Sequence, residues 1–181
     1  MPLLVSFAAG AAGVWRIDRI DGVTGDDLPK AELLTIHEGP VPPTAAEANW
    51  VLRGVTSNAR YTNRPETEAL LARQEGLRRP QATRAALIPI RKTEAWWALA
   101  QDERLTIFEE RSRHIGIGLE YLPAVARRLH HSRELGEPFD FLTWFEYAPE
   151  HSDAFEEMVQ RLRQTEEWRF VDREIDIRRS R

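Results

Sequence analysis

The chain has no cysteine, and of its 25 basic residues only Lys30 and Lys92 are lysines. Without cysteine there are no disulfides, no thiolate metal sites and no thiol nucleophiles, although the compartment stays open. Met1 and Met158 are its two methionines, so readily oxidised side chains are scarce. No apolar run is long enough to cross a membrane as a helix. The formal net charge of -4 argues against a general nucleic-acid binder. A genome rich in G and C would replace lysine by arginine without functional cause. Against that background a surviving lysine is informative, because arginine serves at most surface sites but not where a compact point charge is needed.

What is present is ordinary for a globular protein. Of 181 residues, 42% are apolar and 30% charged, enough for a sizeable core. Residues 1–13 are apolar but carry no basic stretch, and they pass straight into Val-Trp-Arg-Ile. They read as a first strand rather than a signal peptide, with a cytoplasmic location expected. Residues 13–22 and 31–38 are strand-like, with a turn signal at Asp21-Gly22. Residues 39–48 form a proline-rich loop, and 50–56 are another strand. Asn63, Pro65 and Glu66 mark the start of a helix that runs to about Gly76. Residues 82–90 form a strand in which Pro89 limits central pairing.

The stretch 102–131 organises the second half. Asp102 reads as a helix cap, with Glu103 in the first turn. Leu105, Phe108 and Ile115 fall on one side at helical spacing, with His114 roughly opposite Leu105 and near Ile107. On periodicity alone a core histidine is the favoured reading of His114. Gly116 and Gly118 lack side chains and let something broad approach the backbone. Pro123 interrupts the helix, and Arg127 follows on a new short segment. Downstream, Phe139, Phe141, Phe145 and Tyr147 alternate on one face of a strand. Asp153 and Glu156 resemble a capping box for a helix to about Leu162, with Phe155, Val159 and Leu162 inward. A last strand, 168–177, precedes an arginine-rich tail. Each half reads as a small sheet covered by helices, an α+β arrangement of two ferredoxin-like halves divided near residue 90.

These residues carry a family resemblance. Leu-Arg-Gly-Val-Thr-Ser at 52–57 with Arg60-Tyr61, Ala-Leu-Ile-Pro-Ile-Arg-Lys at 86–92, Trp96-Trp97 and Phe108-Glu with His114 come first in order. Tyr-Leu-Pro at 121–123, Arg127, the segment 138–147 and Glu166-Glu167-Trp168 follow. Together they resemble the chlorite dismutase family, and more closely its short, dimeric lineage. The resemblance implies a dimeric α/β-barrel-type fold with a reduced N-terminal half (1–90) and a haem-binding C-terminal half (91–181). It implies haem b, with His114 as the iron ligand and Glu167, rather than Glu166, orienting it. Adjacent residues near a strand face opposite ways, so one of the two glutamates serves. Lys92 would hold a haem propionate, and Trp96 and Trp97 would lie beside the haem. For Trp97, core or interface packing is at least as good a reading.

Arg127 would be the catalytic residue, a permanently charged fork of donors for an anion. The implied reaction converts chlorite to chloride and dioxygen, with O–O bond formation. Its alternatives are a coproheme decarboxylase or peroxidase-like enzyme of the same superfamily, or a haem-free binding module on the same scaffold. No nucleic acid or membrane is expected as a partner. A homodimer is expected, because strand 139–147 presents large aromatics that one half-barrel would leave uncovered.

Overall fold

The computed structural model describes residues 2–40, 46–56, 64–73 and 75–181, the Leu70 side chain excepted. Residues 41–45 of the proline-rich loop and the cap position Asn63 lie outside the described residues. Eight strands close a barrel: β1 (Leu4–Gly10), β2 (Trp15–Thr24), β3 (Leu33–Glu38), β4 (Trp50–Thr56), β5 (Arg84–Lys92), β6 (Ala126–His131), β7 (Phe141–Tyr147) and β8 (Val171–Ser180). Their order around it is β1-β3-β2-β8-β5-β7-β6-β4, with antiparallel pairing. Cutting the ring between β2 and β8 and between β4 and β6 leaves two four-stranded sheets. Each has its first strand beside its third and fourth, the ferredoxin-like order. The β2–β8 seam is long, whereas β4 meets β6 only through Val55–His131 and Thr56–His130.

Period-two alternation sends one face of each strand inward. Val5, Phe7, Ala9, Leu52, Leu87, Trp144, Ile175 and Ile177 fill the barrel interior. The outer face of the C-terminal sheet builds a second core of Ala86, Ile88, Ile90, Phe141, Phe145 and Tyr147. Over that face lie α1 (Arg64–Arg73), α2 (Glu94–Ala98), α3 (Gln101–Leu105), a π-helical segment Thr106–Arg111, α4 (His114–Glu120) and α5 (Ser152–Arg163). Helix α5 presses Phe155, Met158, Val159 and Leu162 onto it. Its polar rim is tied down too, with Arg163 donating to Glu174 at 2.7 Å and to Asp176 at 2.9 Å.

Several local expectations are corrected. Asp21-Gly22 is no turn; it lies inside β2, where the pairing with β8 slips between Gly22 and Thr24. Helix α3 starts at Gln101 with Ala100 as its cap residue, and Glu103 accepts the Ala100 N–H at 2.7 Å. Leu105 is exposed rather than part of an apolar face. Phe139 precedes β7 and belongs to the barrel interior, apart from Phe141, Phe145 and Tyr147. Those three are covered within the chain, so exposed aromatics on this strand give no argument for a dimer. The arginines at 178 and 179 are strand residues, not a solvated tail. Arg179 is 1% exposed, stands over the Trp144 ring at 5.2 Å, and has no hydrogen-bond partner among the described residues. Pro89 does limit pairing: β5 meets β8 at Leu87–Ile177 and again at Ile90–Glu174, with nothing paired between.

Phe155 stacks on Tyr147 at 4.4 Å and meets Phe145 edge-on at 5.2 Å. Truncating it would leave a cavity between α5 and the sheet. We expect Phe155→Ala to cost about 3–5 kcal/mol in urea unfolding; a loss below about 1 kcal/mol would show that α5 is not anchored there.

Candidate functional site

Between the outer face of the C-terminal sheet and its helices lies a cavity of about 330 Å³, within the size range of organic-ligand sites. Its floor is sheet: Ile88, Ile90, Phe141, Thr143 and Phe145. Its walls include Thr67 and Leu71 of α1, Trp96, Phe108, His114, and Val159 and Leu162 of α5. The cavity therefore draws on residues before 90 as well as after. Its lining is mostly apolar, with a few polar groups converging: His114, Lys92, Glu167 and Arg127.

His114 gets there by a break in the helix. The π-helical segment adds a residue to the turn, and Arg113 then adopts a left-handed conformation at φ 50°. This resets the helical phase, so His114 opens α4 instead of riding on a second face of one long helix. Its Nδ1 lies 2.7 Å from Glu167 Oε2. The imidazole is flanked by Phe108 and Trp168 at centroid distances of 4.5 and 6.3 Å, both nearly parallel to it. With Nδ1 engaged, Nε2 is the nitrogen left for the cavity. Of the other histidines, His130 cannot serve: Nδ1 faces Leu142 O at 2.9 Å and Nε2 accepts from Arg128 at 3.1 Å.

Glu167 is 2% exposed and sits in the short turn Glu167–Phe170 that leads into β8. Its other oxygen accepts from Lys92 Nζ at 2.6 Å, and its backbone N–H donates to Ser112 Oγ at 2.9 Å. Burial opposes its charge, but the His114 and Lys92 charges and hydrogen bonds outweigh that and hold the carboxyl down at about 2. Glu166 faces the other way and pairs with Arg111 at 3.0 Å.

Lys92 reaches the cavity from the end of β5. Its ammonium is 3% exposed, pairs with Glu167 and lies 4.4 Å from the Trp96 ring centroid. The described contacts make it the counter-charge of Glu167. Trp96 lines the cavity and is capped into place by Thr93. Trp97 does not line it. It stacks on Phe141, donates to Asp140 at 3.2 Å and lies under Arg133 at 4.1 Å.

Arg127 and Arg128 part company by strand alternation. Arg127 pairs with Phe145 in register and lines the cavity. Arg128 reaches Glu38 at 2.8 Å. Burial pushes the Arg127 guanidinium down to about 10, with Glu109 pulling it part of the way back; at neutral pH it remains a cation. Glu109 figured in the sequence only within Phe108-Glu, with no role given, and Ser112 was not singled out. Glu109 accepts the Ile115 N–H at 3.3 Å. Burial, then the neighbouring Glu66 carboxyl, push Glu109 up to about 8. Nothing in the spacing of Glu109 or Ser112 marked them, since their partners are 53 or more residues away or outside their own helix.

A tandem ferredoxin-like barrel, with a slot between its C-terminal sheet and helices that holds one oriented histidine and one arginine, is the class this structure defines. Comparison with known proteins gives the family. The chlorite dismutase family model matches residues 42–180. Among solved structures, a dimeric chlorite dismutase from Nitrobacter winogradskyi is 54% identical, with a TM-score of 0.91, over 98% of this chain and 99% of its own. A mutant chlorite dismutase from Candidatus Nitrospira defluvii shares the fold at 20% identity and a TM-score of 0.71, over 99% of this chain and 91% of its own. The chlorite dismutase of Ideonella dechloratans is 39% identical over 62 residues, which are 34% of this chain and 20% of that protein. This chain belongs to the chlorite dismutase family. No helix among the described residues is long and apolar enough to cross a membrane.

Two carboxyls predict opposite pH effects. Glu167 is more acidic folded than unfolded, so its contribution to stability is present above about pH 4.5 and is lost as pH falls toward 2. Glu109 is less acidic folded, so it costs stability as pH rises from 4.5 through 8. In urea titrations, Glu167→Gln should therefore be most destabilising at neutral pH and least below pH 3. Glu109→Gln should gain on wild type as pH rises from about 4.5 to 8 and level off above that. Differences that do not change with pH would contradict both assignments.

Proposed function

We propose that this protein is a haem b enzyme that converts chlorite to chloride and dioxygen, ClO2⁻ → Cl⁻ + O2. The observation that carries this reading is the pairing of a carboxylate-oriented histidine with a buried guanidinium in one apolar slot. Apolar walls suit a flat porphyrin. Among the described residues, no three His, Asp or Glu side chains gather to hold a metal ion. A lone histidine fits an iron that brings its other ligands with it, as porphyrin iron does.

In this reading His114 Nε2 would hold the haem iron. Glu167 accepts the hydrogen bond from Nδ1–H, which fixes ring and tautomer and makes the imidazole a stronger donor. Lys92 neutralises Glu167, so the site does not bury an uncompensated carboxylate. A haem held there would supply the redox chemistry for turning chlorite into chloride and dioxygen. Arg127 does what an anion needs. Its charge draws chlorite into a water-poor slot, and its fork of donors holds an oxyanion in place. Confinement also keeps oxidising chlorine species from escaping toward side chains. A homodimer is part of the proposal, because the 54% identical relative is dimeric; sedimentation should give twice the 20.9 kDa chain mass.

Reconstitution with haem b followed by an oxygen-electrode assay tests the reading. Wild type should show a Soret band and release dioxygen from chlorite. His114→Ala should lose the band. Arg127→Ala should keep it while dioxygen release falls at least about tenfold, the effect of one lost charge-assisted contact. No Soret band in wild type, or unchanged gas evolution by His114→Ala, would refute the assignment.

A further inference from the structure

Helix α4, His-Ile-Gly-Ile-Gly-Leu-Glu, holds two glycines in seven residues. Glycine is disfavoured inside a helix, since it gives up the most backbone freedom. Neither Gly116 nor Gly118 has a positive φ, so the backbone requires neither. Space separates them. A Cβ on Gly116 would stand 3.8 Å from the nearest atoms of Arg113, an ordinary contact. A Cβ on Gly118 would stand 1.8 Å from Arg127 Nη1, 2.6 Å from Cζ and 2.9 Å from Nη2. The guanidinium occupies the space a side chain at 118 would fill.

We propose that Gly118 is a positioning residue: its missing side chain is the seat on which α4 aims the Arg127 guanidinium into the cavity. This rests on Arg127 being the group that holds the anionic substrate. Residues 114 and 118 are one helical turn apart and share a face. One short helix thus presents the histidine and also sets the place of the cation. A methyl at 118 meets the far end of a flexible side chain. Arg127 therefore yields, and the helix stays.

The test compares haem-loaded wild type, Gly118→Ala, Gly116→Ala, Arg127→Ala and the Gly118→Ala/Arg127→Ala pair. Readouts are fluoride affinity by haem absorbance, KM and kcat for chlorite, and thermal midpoint; a crystal structure of haem-free Gly118→Ala adds a readout independent of haem. Gly118→Ala should keep the Soret band, weaken fluoride binding and raise KM about tenfold, toward the Arg127→Ala values. Gly116→Ala should match wild type. In the double variant the methyl should cost nothing more, because its target is gone. The crystal structure should show the guanidinium moved off residue 118.

Wild-type fluoride affinity and KM in Gly118→Ala, or an unmoved guanidinium, would overturn the proposal. If Gly118→Ala folds poorly, Arg127→Ala must restore its thermal midpoint; failure to do so also overturns it. If Arg127→Ala alone leaves fluoride affinity and chlorite turnover unchanged, the role of Arg127 falls. The crystal structure then still decides whether Gly118 seats it.

Discussion

A carboxylate with 2% exposure is the constraint that the site is built around. Burying a charge is costly unless it is paired and hydrogen-bonded. The Glu167 carboxylate meets that condition at the end of β5 through Lys92 and at the start of α4 through His114, while Ser112 at the π-helix exit accepts its backbone N–H. Each contact closes a long sequence separation, and each is short. The imidazole has little freedom to turn, because rotating it would leave a buried acceptor unsatisfied. Orientation of the histidine is therefore a by-product of satisfying the glutamate.

The layer arrangement explains why the cavity lies where it does. Inside the barrel, side chains from both sheets fill the space with Trp, Phe, Leu and Ile. The outer face of the C-terminal sheet must be covered by something else. Helix α5 covers one end with aromatic and aliphatic contacts. The broken run from α2 to α4 covers the other end less closely. A helix that changes pitch and phase cannot lay a continuous apolar stripe on a sheet. The slot is what remains between the well-packed helix and the interrupted one, with α1 leaning on its edge.

Strand alternation was readable from residues alone, and it placed much of the fold. Trp50–Thr56 emerged with the bounds expected, and the interruption at Pro89 followed from its missing N–H. Alternation also sorted Arg127 from Arg128 once the strand was known. Helical phase was not readable across 102–120. The expectation assumed a constant 100° per residue, and the π-helical segment and left-handed Arg113 both break it. Leu105 consequently faces solvent and His114 begins a new helix. Phe139 was misplaced for a related reason: it lies two residues before β7, outside the alternation used to assign its face.

Composition by itself excluded thiol chemistry and argued against nucleic-acid binding, and the separated motifs from Lys92 to Trp168 were enough to point to a family. The family resemblance singled out His114, Arg127 and one of two adjacent glutamates, whereas spacing alone favoured a core histidine at 114. Only the tertiary structure decided which partner each one has. Lys92 is paired with Glu167 at the cavity's edge, and Gly118, not Gly116, is the glycine with a neighbour pressed against it. The physical reason is reach. Periodicity describes neighbours within an element, whereas these partners come from strands and turns brought together by closing the barrel.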